Sequence, residues 1–293
     1  MSSIWILIIH YKNFSITKAC LESVLKQVNI NYQILVVNNN DLDFNSKDLL
    51  SLDANIHTLN LDDNYGYAGG ANKGIEYCKD RGGLYVYLLN NDIILETTSL
   101  LNLYEASQKF PQAALLSLAT VDNFADNSLK GIGQLNFIKA KSYLKPVYLN
   151  KDYIECQWLS GSNLFFNLEN FTDNTFFDER YFLYFEDTEL CYRKFKQGYK
   201  CLLITSSKVI HKNGQSFGND INYLRSYYYM RNRALFFSEN QSSPILLLVN
   251  YLFIIGHVVK EICLYPIKRR PGKLKAELKG LQDFLNKKWG KYI

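Results

Sequence analysis

An α/β fold on a doubly wound, mainly parallel sheet is what this chain of 293 residues predicts, on three observations. Continuous apolar runs at Ile4–Ile9, Ile34–Val37 and Leu84–Leu89 have the composition of strands covered on both faces. Segments with helical spacing separate them. Each run ends abruptly in a polar cluster: His10–Asn13, Asn38–Asp41 and Asn90–Asp92. Open parallel sheets bind ligands beyond the carboxyl ends of their strands, so three polar strand ends predict one shared cleft.

Taken in order, Ile4–Ile9 has no basic stretch before it and reads as a first buried strand, not a signal peptide. Ser15–Gln27 places Ile16, Cys20 and Val24, with Leu21 and Leu25, on one helical face. After the second strand, Asn72–Lys79 predicts a short helix. Past the strand at Leu84–Leu89 come a helix at Thr97–Phe110 and a strand at Ala113–Ala119. Residues 121–150 are mixed and turn-rich. Trp158–Phe166 predicts a strand, and Glu186–Lys196 a helix that Gly198 closes. Tyr199–Ile204 predicts another strand, from which a short loop leads to His211. Asn222–Ser238 predicts a helix rich in Tyr and Arg. Alternating strands and helices imply parallel pairing. The expected division is an α/β domain over 1–238 and an apolar helix with a basic tail over 239–293.

Composition narrows the function classes. Hydrophobic residues make up 47% and charged residues 21%, which excludes a disordered chain. The net charge is +5, but Lys260 to the C-terminus holds ten Lys/Arg and three Asp/Glu, or +7, leaving −2 elsewhere. A basic tail calls for an anionic partner. Its place beside the apolar run Ile245–Val259 favours a membrane surface over nucleic acid. That run is broken only by Asn250, Gly256 and His257 and is shorter than the roughly 20 residues that cross a bilayer. An interfacial or buried helix is therefore expected rather than a span, with Lys268, Arg269, Arg270 and the later lysines at lipid head groups. Six cysteines form no Cys-x-x-Cys pair, against a zinc ribbon, and read as reduced thiols of a cytoplasmic protein.

Four places could carry chemistry. Asp92 just beyond a buried strand is placed to hold a divalent cation beside a diphosphate, although taken alone Asn90-Asn91-Asp92 is favoured as a turn. Glu186, Asp187 and Glu189 open a helix, where acids complement the dipole or supply a general base. Helical spacing puts Glu186 and Glu189 on one face and Asp187 elsewhere, so all three cannot serve one site. His211 could ligate a metal as a neutral imidazole, while a lone His is more often structural. Asp63–Gly74 is glycine-rich and opens a helix whose amides attract anions.

In combination these segments resemble the family 2 glycosyltransferases, especially their bacterial rhamnosyltransferase-like branch, from about Ile4 to about Ser238. Tyr11-Lys12-Asn13 is similar to the end of that family's opening strand, and Val36-Val37-Asn38-Asn39-Asn40 to its base-binding segment. Asn64-Tyr65-Gly66-Tyr67-Ala68-Gly69-Gly70-Ala71-Asn72-Lys73-Gly74 resembles its glycine-rich signature. Leu88-Leu89-Asn90-Asn91-Asp92 resembles its metal motif, and Phe177 to Leu190 matches most strongly. Two positions depart: Asn38 stands where the base-binding Asp is usual, and Asn90 where the first acid of the metal motif is usual. Asn keeps a carbonyl ligand but loses a charge.

The resemblance implies a GT-A fold and inversion by a single displacement at the anomeric carbon. Asp187 would be the base, with Glu186 and Glu189 in support. Asp92 would bind Mg²⁺ or Mn²⁺ at the donor diphosphate, and His211 would complete the metal site. Donor contacts fall on Tyr11, Asn13, Asn38 or Asn39, Asn64, Gly66, Gly70, Asn72, Lys73, Asn90 and Asn91. Trp158 and Gly161 would meet the acceptor. The implied reaction moves a sugar, rhamnose or another deoxy sugar or hexose, from a dTDP- or UDP-sugar to a glycan or polyprenyl-linked oligosaccharide in bacterial surface polysaccharide synthesis. It would run at the inner face of the cell membrane, with the chain peripheral to it. A non-catalytic nucleotide-sugar-binding or scaffold protein is the alternative that the two Asp-to-Asn departures leave open.

Overall fold

The computed structural model describes residues 3–50, 52–53, 55–125, 129–147, 151–212, 221–268 and 271–292. Its first half alternates β1 (Ile4–His10), α1 (Phe14–Val24), β2 (Gln33–Asn38), α2 (Ser46–Leu50), β3 (Ile56–Asn60), α3 (Gly66–Lys79) and β4 (Tyr85–Asn90). Then come β5 (Ile93–Leu95), α4 (Ser99–Lys109), β6 (Ala113–Val121), β7 (Leu129–Asn136), β8 (Lys141–Val147), β9 (Tyr153–Glu155) and β10 (Asn163–Asn167). α5 (Glu186–Lys196), β11 (Lys200–His211), α6 (Ile221–Asn240), α7 (Pro244–Lys268) and α8 (Pro271–Leu285) complete the chain.

The central sheet runs β3-β2-β1-β4-β10-β6-β11-β5. β3, β2, β1 and β4 are parallel, β10 is antiparallel between β4 and β6, and β11 runs parallel to β6. The register lines up His10 with Asn38, Asn38 with Asn60, and Ile9 with Asn90, so the polar strand ends form one rim. β10 runs the other way and brings its leading loop, Ser160–Ser162, to the same rim; Asn90 N–H donates to Ser162 O at 2.9 Å.

Period-2 alternation divides β1 between two cores. Trp5, Leu7 and Ile9 pack with Ala68, Ala71, Ile75 and Cys78 of α3. Ile4, Ile6 and Ile8 pack with Cys20, Leu21 and Val24 of α1 and Leu100 and Leu103 of α4. Each fully buried Leu or Ile is worth roughly 1.5–3 kcal/mol, which is why the sheet carries these runs without interruption.

The structure moves several expected boundaries. α3 starts at Gly66, not Asn72, because contact with the sheet outweighs the poor helix propensity of its glycines. A Cβ on Gly74 would lie 2.6 Å from Leu7 Cδ1 and 3.0 Å from Val37 Cγ2. Gly74→Val is therefore expected to push α3 off the sheet and lower stability by about 1–3 kcal/mol, read as a shift in the denaturation midpoint. The expected strand from Trp158 begins only at Asn163, since Ser160–Ser162 turn into the rim. β11 continues past Ile204 through a register shift, so His211 ends a strand, paired with Ile93 of β5, instead of following a loop. Within the turn-rich stretch lies the hairpin of β7 and β8.

α7 corrects the count made on the apolar run. Lys260 and Glu261 end the run but not the helix, which continues to Lys268, with Glu261 Oε1 3.1 Å from Lys273 Nζ of α8. Pro244–Leu264 is long and apolar enough, by length and composition, to cross a membrane. Arg269 and Arg270 lie outside the described residues.

Candidate active site

Above the rim lies a cleft of about 440 Å³ whose walls come from the ends of β1, β2 and β4, the start of α3, the loops before β10 and α5, and the end of β11. A second concavity, of about 460 Å³, lies at the amino ends of β2 and β3 and includes none of the candidate residues. Of those residues, Tyr11, Asn39, Asn64, Gly66, Asn90, Asn91, Asp92, Gly161, Glu186, Asp187 and His211 line the first cleft.

Asn39 ties the end of β2 to the start of α3. Its Nδ2 donates to Asn64 Oδ1 (3.2 Å) and Gly66 O (2.9 Å), and its Oδ1 accepts from Tyr65 N–H (3.0 Å). Gly66 has φ of 72°, a left-handed conformation that costs a non-glycine residue about 1–2 kcal/mol. The first amides of α3 do not await an anion as expected: Tyr67 and Ala68 N–H donate to Phe182 O at 2.8 and 3.3 Å. The glycine-rich segment thus fastens the loop before α5.

A buried chain of hydrogen bonds, invisible to the sequence reading, links the loop after β2 to the loop after β4. His10, fully buried, places Nε2 2.9 Å from Asp41 Oδ2 and Nδ1 2.7 Å from Thr17 Oγ1. Thr17 Oγ1 accepts from Asn91 Nδ2 at 3.0 Å. With a neutral imidazole donating to the Asp41 carboxylate, one arrangement of protons satisfies all three contacts. Asp41 accepts from Nε2–H, so Nδ1 accepts the Thr17 hydroxyl, whose oxygen is left for Asn91. Burial holds His10 below the usual imidazole range, against the opposing pull of Asp41, and so keeps it neutral.

Asp92 is buried just past β4, and its Oδ1 stands 3.2 Å from His211 Nε2 across the β5–β11 pair. The contact is not aligned as a hydrogen bond, leaving Oδ1 buried without a hydrogen-bond partner. One carboxylate and one imidazole, converging and unsaturated, suit a divalent cation that completes its shell with phosphate and water. Among the described residues, no group of three His, Cys, Asp or Glu side chains forms a closed metal cage.

Asp187 lines the same cleft. Its Oδ2 accepts from Gly161 N–H at 2.8 Å, and its Oδ1 from Thr188 N–H at 2.6 Å and Thr188 Oγ1 at 3.1 Å. The Tyr67 hydroxyl braces the same loop by donating to Gly161 O at 2.5 Å. Beside it Glu186 is buried, with Oε2 lacking a partner. Burial, and then the charge of Asp187, push the Glu186 carboxyl well above its usual range. Burial also raises Asp187, but its three hydrogen bonds favour the ionised form. Asp187 is thus the carboxylate of the pair and Glu186 the neutral acid.

Glu186 carries a stability consequence. Below pH 4.5, its ordinary value, it holds its proton whether the chain is folded or unfolded; as pH rises through the raised folded value, its contribution to stability is lost. Glu186→Gln is expected to raise Tm at pH 7 by roughly 2–4 °C and to leave it unchanged near pH 4, checked by calorimetry at both values.

The loop that presents the pair is strained: Phe182, Tyr184 and Phe185 have φ of 58°, 66° and 72°. Asn232 of α6 holds it by donating Nδ2 to the carbonyls of Tyr181, Leu183 and Tyr184 at 2.7–2.9 Å. Arg231 Nη2 adds the carbonyls of Arg180 and Tyr181 at 2.9 and 3.1 Å. The Tyr/Arg content of this helix was the only sequence signal for the clamp.

Seven expected site residues lie outside the cleft wall. Asn38 is used within its own turn, donating to Asp41 O (3.0 Å) and Asn60 Oδ1 (3.2 Å) and accepting from Asp41 N–H (2.8 Å). Asn72 clasps Phe177 through both backbone polar groups, and Lys73 Nζ lies 4.3 Å from the Tyr65 ring centre. Gly70 packs on the Asn39 amide, and exposed Asn13 accepts from Ser15 Oγ. Glu189 pairs with Arg193 at 2.9 Å, so the expected sharing of one face by Glu186 and Glu189 fails: it is Asp187 that lines the cleft with Glu186. Trp158 is buried against Gly133, with Nε1 donating to Gln134 O at 3.2 Å, so it anchors the β7–β8 hairpin. Conversely, Arg225 and Tyr67 line the cleft without having been singled out.

The profile of glycosyl transferase family 2 matches residues 5–161, and that of glycosyl transferase family group 2 matches residues 85–265. An N-acetylglucosaminyl-diphospho-decaprenol L-rhamnosyltransferase of Mycobacterium tuberculosis, found in two strains, is 41% identical over 63 residues, 22% of this chain. The chain matches 20% of the length of those relatives. Among solved structures, the mannosyltransferase PcManGT from Pyrobaculum calidifontis, in complex with GDP-Man and Mn²⁺, superposes with a TM-score of 0.62 at 10% identity, over 98% of this chain and 88% of that one. GalNAc-T7 with UDP, GalNAc and Mn²⁺ gives 0.61 at 12% identity, over 89% and 57%. S. aureus TarS 1–349 in complex with UDP-GlcNAc gives 0.57 at 14% identity, over 97% and 80%. At such identities the likeness shows a shared fold, the GT-A fold.

Proposed function

We propose, from the premise that this chain belongs to glycosyl transferase family 2 and is rhamnosyltransferase-like, that it is an inverting glycosyltransferase. It moves rhamnose or a related sugar from a dTDP- or UDP-sugar to a glycan or polyprenyl-diphosphate-linked saccharide. The observation that carries this reading is the convergence, in one cleft at the strand ends, of a half-buried carboxylate, Asp187, with the Asp92–His211 pair and Asn39–Asn64.

In this reading the nucleoside lies along Tyr11, Asn39 and Asn64, with the diphosphate toward Asp92. Asp92 and His211 would hold a divalent cation, Mg²⁺ or Mn²⁺, which would supply positive charge against the departing diphosphate. Arg225 adds a positive charge at the cleft wall. Asp187 takes the proton of an acceptor hydroxyl as that oxygen attacks the anomeric carbon; the bond to the diphosphate breaks on the opposite side and the nucleoside diphosphate leaves. Glu186, neutral beside it, keeps the base from facing a second negative charge. The names of the M. tuberculosis relatives and the exposed apolar α7 support a polyprenyl-linked acceptor and a place at the inner face of the cell membrane, peripheral to it.

Thermal-shift screening of dTDP- and UDP-sugars tests the donor assignment. A donor at a hundred times its Kd should stabilise the fold by about 2.7 kcal/mol, and only with Mn²⁺ or Mg²⁺ present. No shift with any nucleotide sugar would sink the reading.

A further inference from the structure

We infer that α7 lies in the plane of an anionic lipid surface, with its apolar side in the bilayer and its polar side against the protein, and does not cross the membrane. This rests on the membrane-surface reading above and adds which face binds and how the helix lies.

α7 is amphipathic in the inverse sense of a soluble protein's surface helix. Only Asn250, Ile254 and Val258 of Pro244–Leu264 are buried. The side turned to the protein carries Asn250, His257 and Glu261, while Lys260 is exposed. Asn250 Nδ2 donates to the carbonyls of Phe137 and Ile138, His257 Nε2 lies 3.3 Å from Glu277 Oε1, and Glu261 meets Lys273 at 3.1 Å. The opposite side carries Ile245, Leu248, Leu252, Ile255, Val259 and Ile262, between 48% and 75% exposed. At about 100° per residue these six share one face, a continuous apolar stripe of the kind that marks an interaction surface.

The polar contacts argue against a span. From Asn250 to Glu261 they pin some 16 Å of the helix to the domain, at 1.5 Å per residue. A span must be free of water-soluble protein through a core of about 30 Å. Crossing would either break all three contacts or drag charged α8 into hydrocarbon. The charge selects lipid over a second copy of the chain. From Lys260 onward the sequence carries +7, so pairing two copies through this stripe would set two basic segments together, whereas anionic head groups complement them.

The test uses the full chain with vesicles of phosphatidylcholine alone or with roughly one-third phosphatidylglycerol. Wild type should sediment with the anionic vesicles and be released by alkaline carbonate. Leu248→Gln/Leu252→Gln/Val259→Gln alters only exposed positions. It should weaken binding by a factor on the order of one hundred, with unchanged turnover on a water-soluble acceptor. For depth, Ile255→Cys is labelled in a Cys263→Ser background, since the other five cysteines are buried; nitroxides high on the acyl chain should quench it more than deep ones. Deeper quenching with resistance to carbonate would mean a span and overturn the inference. Unchanged vesicle binding of the triple variant would overturn the face while leaving the membrane reading intact. Absence of vesicle binding with turnover preserved would remove both but not the transferase reading. A dimer that the triple variant dissociates, without vesicle binding, would assign the stripe to a second copy and overturn the inference.

Discussion

Asp187→Asn is expected to lower kcat for sugar transfer by about a thousandfold or more, with the donor Kd changed by no more than about threefold. The acceptor hydroxyl, with a pKa far above 7, needs a base as it attacks, and Asp187 is the carboxylate in the cleft that hydrogen bonds keep ionised. The substitution is less neutral than its shape suggests. Both carboxylate oxygens accept backbone N–H groups, from Gly161 and Thr188. An amide must turn its NH₂ toward one of them, costing about 1–3 kcal/mol in the buried site. Tm should therefore fall modestly, and donor titration separates this from lost chemistry. Asp187→Glu keeps the charge but displaces it by one methylene, and should also fail because attack depends on position. The pH profile discriminates further. Burial raises the Asp187 pKa, so wild-type kcat/KM should fall as pH drops through that raised value, and the residual rate of Asp187→Asn should lack this limb. Turnover within tenfold of wild type would end the assignment of Asp187 as base.

Which parts were legible in the sequence follows from what each residue answers to. β1, β2 and β4 were legible because burial on both faces forces uninterrupted apolar runs, and their rim because such runs stop where the backbone meets the cleft. The acids of α5 were legible as a cluster but not in their roles. Asp187 faces the cleft with Glu186, while Glu189 turns to Arg193, and only the packing of the helix decides that. Asn38 and Asn39 could not be ordered from spacing alone. Once β3 is paired, Asn38 is matched by Asn60, and the next residue is free to meet α3. Trp158 resembled an acceptor aromatic by its neighbours in sequence, yet its ring fills the space above Gly133, on a hairpin that hydropathy does not reveal. The relay through His10 was hidden for a related reason. A histidine ending an apolar strand reads as a polar strand end, and its partners come from 7 and 31 residues away.

Removing divalent cations should abolish transfer, and Asp92→Ala should reproduce the loss in the presence of metal, by about a thousandfold. The reasoning starts from the smallness of the ligand set. Asp92 and His211 converge to 3.2 Å with Asp92 Oδ1 buried and unpartnered, so a cation would relieve an atom that otherwise has nothing to bond. Two protein ligands leave a divalent ion most of its shell to fill from phosphate and water, and affinity in the absence of nucleotide should be poor. Mn²⁺ should therefore bind measurably tighter when UDP or dTDP is present, seen as loss of the free-ion paramagnetic resonance signal, which does not depend on turnover. Linkage requires the nucleotide to bind tighter with Mn²⁺ by the same factor. The imidazole favours Mn²⁺ over Mg²⁺, since nitrogen ligands suit the later metal. His211→Ala should erase that preference and raise the Mn²⁺ requirement, while Asp92→Ala should remove the requirement together with activity. Full turnover after exhaustive chelation would exclude the Asp92–His211 pair as a metal site. The contact would then be only a polar contact joining the ends of β4 and β11, and its removal should lower Tm without touching nucleotide affinity.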